Sequence, residues 1–493
     1  MAARGADQPA LRHRKDSMVI DHGLRRLALG TLLGALPGQV APPWAMSLLA
    51  DGLAGFTLFG RNAETPEQLA GMTAALRAGR GDVVVAIDEE GGDVTRLEHR
   101  TGSAYPGNAA LGVVDDPELT RAVYAAIGAD LAATGVTLDL APVVDVNTAD
   151  DNPVIGTRSF GASTALVARH AAAAVAGLQE AGVSACAKHF PGHGATVRDS
   201  HLELPTVDVP LSVLRERDVP PFAAAIAAGA RAVMTAHIRV PALTGDEPAT
   251  FSRGALSLLR DELGFDGVIV TDALEMTAAA AAAGGVPRAA VRALAAGADL
   301  LCLGSRVDAA LVEAVVAEIA VGTEDGRLAL GDLERAVSRT AELASPGTAF
   351  GTQRDQSLGL VTARRAVRVE GSLEDLGSPL VVQLVGAQSA VAGRVPWGLA
   401  PHLDGIEHIA VVASTASAAD LVARAGGRPI IVVGQRVHQS PADRALIEAL
   451  PATVVVEMGW PSAWRPAGIR AFVTTHGASW ANGRAAAEVL GLA

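Results

Sequence analysis

Aromatic side chains are scarce in these 493 residues: five Trp, two Tyr and nine Phe make up 3% of the chain. Stacking platforms for single-stranded nucleic acid need aromatics, and so do long sugar-lined grooves. A compact pocket is therefore expected rather than an extended groove. Cysteine is scarcer still. Cys186 and Cys302 cannot make a disulfide framework, and both sit in apolar runs that read as strands. Two buried thiols in a reducing compartment are expected. Positive charge is in deficit: 40 Lys plus Arg against 53 Asp plus Glu give a net charge of −13. Such a chain repels phosphate backbones, so nucleic acid is not an expected partner. A clear targeting signal is also missing. Arg25 and Arg26 precede LALGTLLGAL (27–36), but this run starts late, is interrupted by Pro37 and Gln39, and has no clear small-residue cleavage site. It is too short to span a bilayer, so no membrane association is expected either. Residues 1–17 read as a polar, loosely ordered arm, and the protein as cytoplasmic.

What the chain does have is apolar material, 49% hydrophobic against 19% charged, enough to fill a large core. From about residue 18 to 345, eight short apolar runs alternate with Ala/Leu-rich helical patterns: 30–35, 55–60, 83–88, 136–146, 183–189, 232–237, 267–272 and 299–304. They lack strict alternation, as strands buried on both faces of a parallel sheet do. Eight strand–helix units predict an α/β fold of the (β/α)8 barrel type; a doubly wound open sheet is the alternative, which the count disfavours. Residues 346–360 mix Pro, Gly and polar residues and read as a linker, with a helix around 361–369. Five further runs, at 379–386, 408–414, 428–435, 452–459 and 470–477, predict a smaller α/β domain over 361–493 with a largely parallel sheet. Four of the five Trp lie there, at no common spacing, and read as packing or interface residues.

Active residues of such a barrel sit at the carboxyl ends of its strands. Those ends are rich in titratable groups here: Asp88-Glu89-Glu90, Asp145, Lys188-His189, His237 and Asp272. Each costs desolvation unless paired, so their convergence on one rim points to a site. The densest stretch is KHFPGHGATVRDSH (188–201), with three His, one Lys and one Asp. Asp199 and His201 are two apart, so in an extended loop they share a side. A carboxylate beside an imidazole fixes its tautomer and stabilises its charged form, the arrangement of a His acid/base. A locally bonded loop histidine would look the same. His189, His193, His201 and Asp199 could also ligate a metal, but their spacing matches no standard zinc motif, and no metal is expected. Asp272 closes VIVTD; it reads either as a helix N-cap or as a carboxylate nucleophile projecting into the pocket.

These motifs resemble glycoside hydrolase family 3, in its β-N-acetylglucosaminidase branch. The KHFPGHG…DSH stretch carries the resemblance. LFGRN (58–62), AIDEEGGDVTRL (86–97), LAPVVDVN (140–147), NPVIGTRSF (152–160), MTAHI (234–238) and GVIVTDALEM (267–276) support it in order, over about 20–345. The resemblance implies a (β/α)8 catalytic barrel followed by an accessory α/β domain. It implies a retaining exo-β-N-acetylglucosaminidase without cofactor, acting on a small amino-sugar substrate. Asp272 would be the nucleophile, His201 the acid/base and Asp199 its orienting partner. Asp88, Arg96, Arg158, Lys188 and His189 would bind the sugar. The alternatives are a phosphorylase that uses inorganic phosphate and a non-catalytic amino-sugar sensor. Two positions depart from the family pattern: Asp93 replaces an Arg and Ala195 an Asp. Asp93 is expected to alter the charge of the rim.

Overall fold

A computed structural model of the chain describes residues 20–200, 203–344, 355–386 and 391–493. The expected N-terminal arm and most of the expected linker lie outside them. Eight parallel strands, β1 (Leu32–Ala35), β2 (Gly55–Leu58), β3 (Val84–Ile87), β4 (Leu138–Asp139), β5 (Ser184–Phe190), β6 (Ala232–Thr235), β7 (Val268–Thr271) and β8 (Leu301–Cys302), pair in sequence. β1 returns to β8, and a parallel bridge between Val270 and Leu300 closes the ring. This is the expected barrel. Helices such as Pro117–Ala133 and Thr164–Glu180 wrap its outside.

Side chains alternate between the two faces of a strand, and this alternation places the site. Val84, Ala86, Cys186, Met234, Val268 and Val270 share one inner cluster, while Val85, Ile87, Ala187 and Ile269 pack outward against the helices. Two residues beyond Ala86, Cys186 and Val270 come Asp88, Lys188 and Asp272, so the same inward face ends in titratable groups. Both cysteines are buried and reduced. The long expected fourth strand, 136–146, pairs regularly only over Leu138–Asp139. Its remainder runs irregularly, with Val144 N–H and Lys188 N–H bonded across the gap to Lys188 and Pro142 carbonyls.

The C-terminal α/β unit holds β9 (Arg368–Gly371), β10 (Leu380–Leu384), β11 (His408–Val411), β12 (Ile430–Gly434), β13 (Val454–Glu457) and β14 (Ala471–Thr474), ordered β11-β10-β12-β13-β14-β9. Five are parallel, as expected. β9 is antiparallel and overlaps only the last two residues, 368 and 369, of the expected helix. The helix instead spans Ser357–Ala366, so the last residues assigned to the linker are helical. The Asp355 side chain accepts the Ser357 N–H at its start. Gly359, which reads as a linker glycine, lets this helix lie directly on the Ala104 carbonyl. No described helix is long and apolar enough to cross a membrane.

Candidate active site

The carboxyl rim of the barrel encloses a cavity of about 470 Å³, a size that suits a small ligand. Asp88, Arg96, Arg158, Lys188, His189 and Asp272 all line it. Asp199 does not: it sits partly exposed on the loop after β5, where its carbonyl accepts the Glu203 N–H. Its neighbour Ser200 reaches the cavity. His201 lies outside the described residues. Phe59 is the one Phe, Tyr or Trp among the described lining residues.

The polar wall is one network. Lys188 Nζ donates to Asp88 Oδ1 and Glu90 Oε1, each at 2.7 Å. Arg158 grips Glu90 with both ends of its guanidinium, at 2.7 and 2.8 Å. Such forked pairs fix orientation as well as charge. Burial alone would discharge the Lys188 ammonium, but Asp88 and Glu90 outweigh it and hold its pKa above the ordinary lysine value. Burial likewise opposes the Glu90 carboxylate, and Arg158 and Lys188 overcome it, leaving Glu90 well below the usual glutamate range. Asp88 is also held low against its burial, by Lys188 and Arg96. The wall therefore presents fixed charges.

Arg158 also donates from Nη2 to His189 Nε2 at 3.4 Å, so that ring nitrogen accepts and Nδ1–H points the other way, to Asp145 Oδ2 at 2.8 Å. Asp145 Oδ1 accepts the His193 N–H at 2.6 Å, joining His189 to the base of the next loop. Arg96 is oriented through its backbone: Glu89 accepts the Arg96 and Leu97 N–H groups at 2.8 and 2.9 Å. Arg96 Nη2 donates to the Val391 carbonyl at 2.9 Å. Arg96 Nε, buried, has no hydrogen-bond partner among the described residues. Asp272 Oδ1 accepts the Ala273 N–H at 2.7 Å. Behind it, His237 bonds the Ala273 carbonyl at 3.1 Å and Thr250 Oγ1 at 2.8 Å. No described group of three or more His, Cys, Asp or Glu is arranged to hold a metal ion.

Three contributors escaped the sequence. Glu90 and Asp145 stood at strand ends but were given no role. Two buried cations, Lys188 and Arg158, demanded a shared anion, and that demand was the available signal. The segment Val391–Val395, after β10, forms part of the cavity wall although it belongs to the C-terminal unit. No local signal marks it. Asp93 also differs from expectation. Its carboxylate does not face the cavity; it accepts the Thr157 hydroxyl at 2.7 Å and the Ala478 N–H at 2.9 Å, stitching the barrel to the C-terminal unit.

Residues 39–343 match the family model described as the glycosyl hydrolase family 3 N-terminal domain. Among curated proteins, the chain is 34% identical over 330 residues to β-hexosaminidase A of Pseudoalteromonas piscicida, covering 61% of this chain and 55% of that protein. The chain thus spans just over half the length of that relative. It is 37% identical over 288 residues to β-hexosaminidase LpqI of Mycobacterium tuberculosis H37Rv, covering 57% of this chain and 73% of the relative. Among solved structures, a family 3 β-N-acetylglucosaminidase from Paenibacillus sp. FPU-7 superposes with a TM-score of 0.86 at 33% identity, over 95% of this chain and 96% of that one.

Proposed function

Because the chain belongs to glycoside hydrolase family 3, we propose that it is a retaining exo-β-N-acetylglucosaminidase releasing terminal β-linked N-acetylglucosamine from short oligosaccharides. The single observation that carries this is the network of paired, fixed charges that lines the same cavity as Asp272. A sugar hydroxyl both donates and accepts, so carboxylates and guanidinium groups held in place give it strong, directional bonds. Asp88 offers acceptor oxygens, and Lys188, Arg158 and Arg96 offer donors. The proximity of these groups to Asp272 supports its attack on the anomeric carbon, with Asp272 oxygen forming the new bond as the glycosidic bond breaks.

In this mechanism His201, oriented by Asp199, protonates the departing oxygen. It then takes a proton from the water that hydrolyses the glycosyl-enzyme, restoring both groups. The Pseudoalteromonas and Mycobacterium β-hexosaminidases and the Paenibacillus β-N-acetylglucosaminidase that the chain resembles support the amino-sugar specificity. Peptidoglycan fragments and chitobiose-type chains are the proposed substrates. The barrel carries the chemistry, the C-terminal unit serves as an accessory that completes the wall, and the two reduced thiols favour a cytoplasmic setting.

The test is mass spectrometry after reaction with a fluorinated N-acetylglucosaminide that forms the covalent intermediate but releases it slowly. The expected result is one added glycosyl mass on the peptide containing Asp272. No adduct, or an adduct on another residue, overturns the mechanism.

A further inference from the structure

The His193 imidazole is buried, lies outside the sugar wall's ion pairs, and bonds at both nitrogens: Nδ1 to Thr196 Oγ1 at 2.8 Å and Nε2 to Ser200 Oγ at 2.9 Å. The direction of these bonds follows from counting protons. Thr196 has one hydroxyl hydrogen, and it goes to the His193 carbonyl at 3.0 Å. Thr196 Oγ1 therefore accepts from Nδ1–H. Nε2 is left with its lone pair, and the Ser200 hydroxyl donates to it.

The base of this loop is held hard. Asp145 takes the His193 N–H, and Asn152 Nδ2 donates to the His193 carbonyl at 3.0 Å. Gly194 lies so close to the Val146 carbonyl that a Cβ would overlap it. Burial pushes the His193 imidazole down to about 4, with Asp145 acting the opposite way and His189 reinforcing it. It is thus neutral, and its Nε2 free to accept, at neutral pH. By contrast Val197 and Arg198, between the two ends of the clasp, are exposed.

We propose that His193 is a positioning residue: by accepting the Ser200 hydroxyl it fixes the backbone at Ser200, next to Asp199, and so steadies the loop from which the proposed acid/base pair acts. This rests on the acid/base roles proposed above for Asp199 and His201. The hydroxyl that is clasped belongs to the residue between them in sequence, so losing it loosens the loop while leaving both their side chains intact.

The experiment compares kcat/KM for two aryl N-acetylglucosaminides. The phenyl compound has a leaving group that needs protonation; the dinitrophenyl compound departs unaided. In Ser200→Ala, kcat/KM on the phenyl substrate is expected to fall about tenfold or more, and on the dinitrophenyl substrate by less than about threefold. Ser200→Thr, which keeps the hydroxyl, restores the phenyl rate, and His193→Gln repeats the selective loss. Equal losses on both substrates, or no loss on either, overturn the clasp. His201→Ala is measured alongside. A selective loss there without one in Ser200→Ala sinks the positioning role alone. A leaving-group-independent effect in His201→Ala sinks the acid/base reading, and the clasp with it.

Discussion

Asp272 is the inward residue at the end of β7, backed by the Ala273 peptide that His237 holds. Asp272→Asn keeps the shape but removes the charge of the proposed nucleophile. Turnover of a nitrophenyl N-acetylglucosaminide is expected to fall roughly 10³-fold or more, about 4 kcal/mol on the barrier. Near-normal turnover in a purified, folded variant would count against the nucleophile role. Glu90 has a different effect. Glu90→Gln leaves Lys188 and Arg158 short of a buried partner, and the expected cost is about 3–5 kcal/mol of stability near pH 7, read by denaturant unfolding. Its pH dependence has a definite sign. The folded-state pKa lies below the ordinary glutamate value of 4.5, so its contribution is present above about pH 4.5 and is lost as pH falls further. The variant should therefore differ most from the parent at neutral pH and least near pH 2. Of the residues named from sequence, those on strand ends were readable, because a period of two from a buried residue gives their direction. The role of Glu90 was not, since it depends on two cations 68 and 98 positions away in the chain meeting in space.

Elements show the same division. The apolar runs gave β1 to β3 and β5 to β7 closely, because each is buried on both faces and bounded by turn residues. They over-extended β4: after Asp139 the chain keeps its apolar pattern but leaves regular pairing to bond the β5 segment. The helix Ser357–Ala366 was read partly as linker because Gly359 and the polar residues before it resemble a turn. In space that glycine permits a backbone contact with Ala104, a reason no local pattern contains. The same kind of contact makes a prediction at the loop after β5. In Gly194→Ala the new Cβ meets the Val146 carbonyl, a rigid neighbour, so the loop must shift. Overpacking of this kind costs about 1–3 kcal/mol, and kcat is expected to drop alongside the thermal midpoint. A variant with unchanged kcat and unchanged midpoint would show that the loop has slack there.

At the scale of the whole molecule, barrel and C-terminal unit meet through specific polar contacts as well as packing. Asp93 bonds Thr157 and Ala478, and Arg365 pairs with Asp116 at 3.0 Å. Asp93→Ala strands a hydroxyl and a buried-side N–H, which should cost about 1–3 kcal/mol. The expected signature is a lower thermal midpoint with faster proteolysis between the two units, while KM for a simple aryl substrate changes little. An unaltered proteolysis pattern would argue that packing alone joins them. This level was the least legible beforehand: Asp93 stood out as a departure in the sequence, but its partner lies 385 positions away.

The contact of Arg96 with the Val391 carbonyl bears on how portable the barrel is. A guanidinium proposed to hold the sugar takes part of its orientation from a main-chain oxygen on the other side of the domain junction. The barrel is therefore not a self-sufficient cassette. A chimera that swaps the C-terminal unit exchanges one of the struts of sugar recognition along with it, and a graft meant to preserve specificity would have to carry Arg96 and the 391–395 segment as a matched pair.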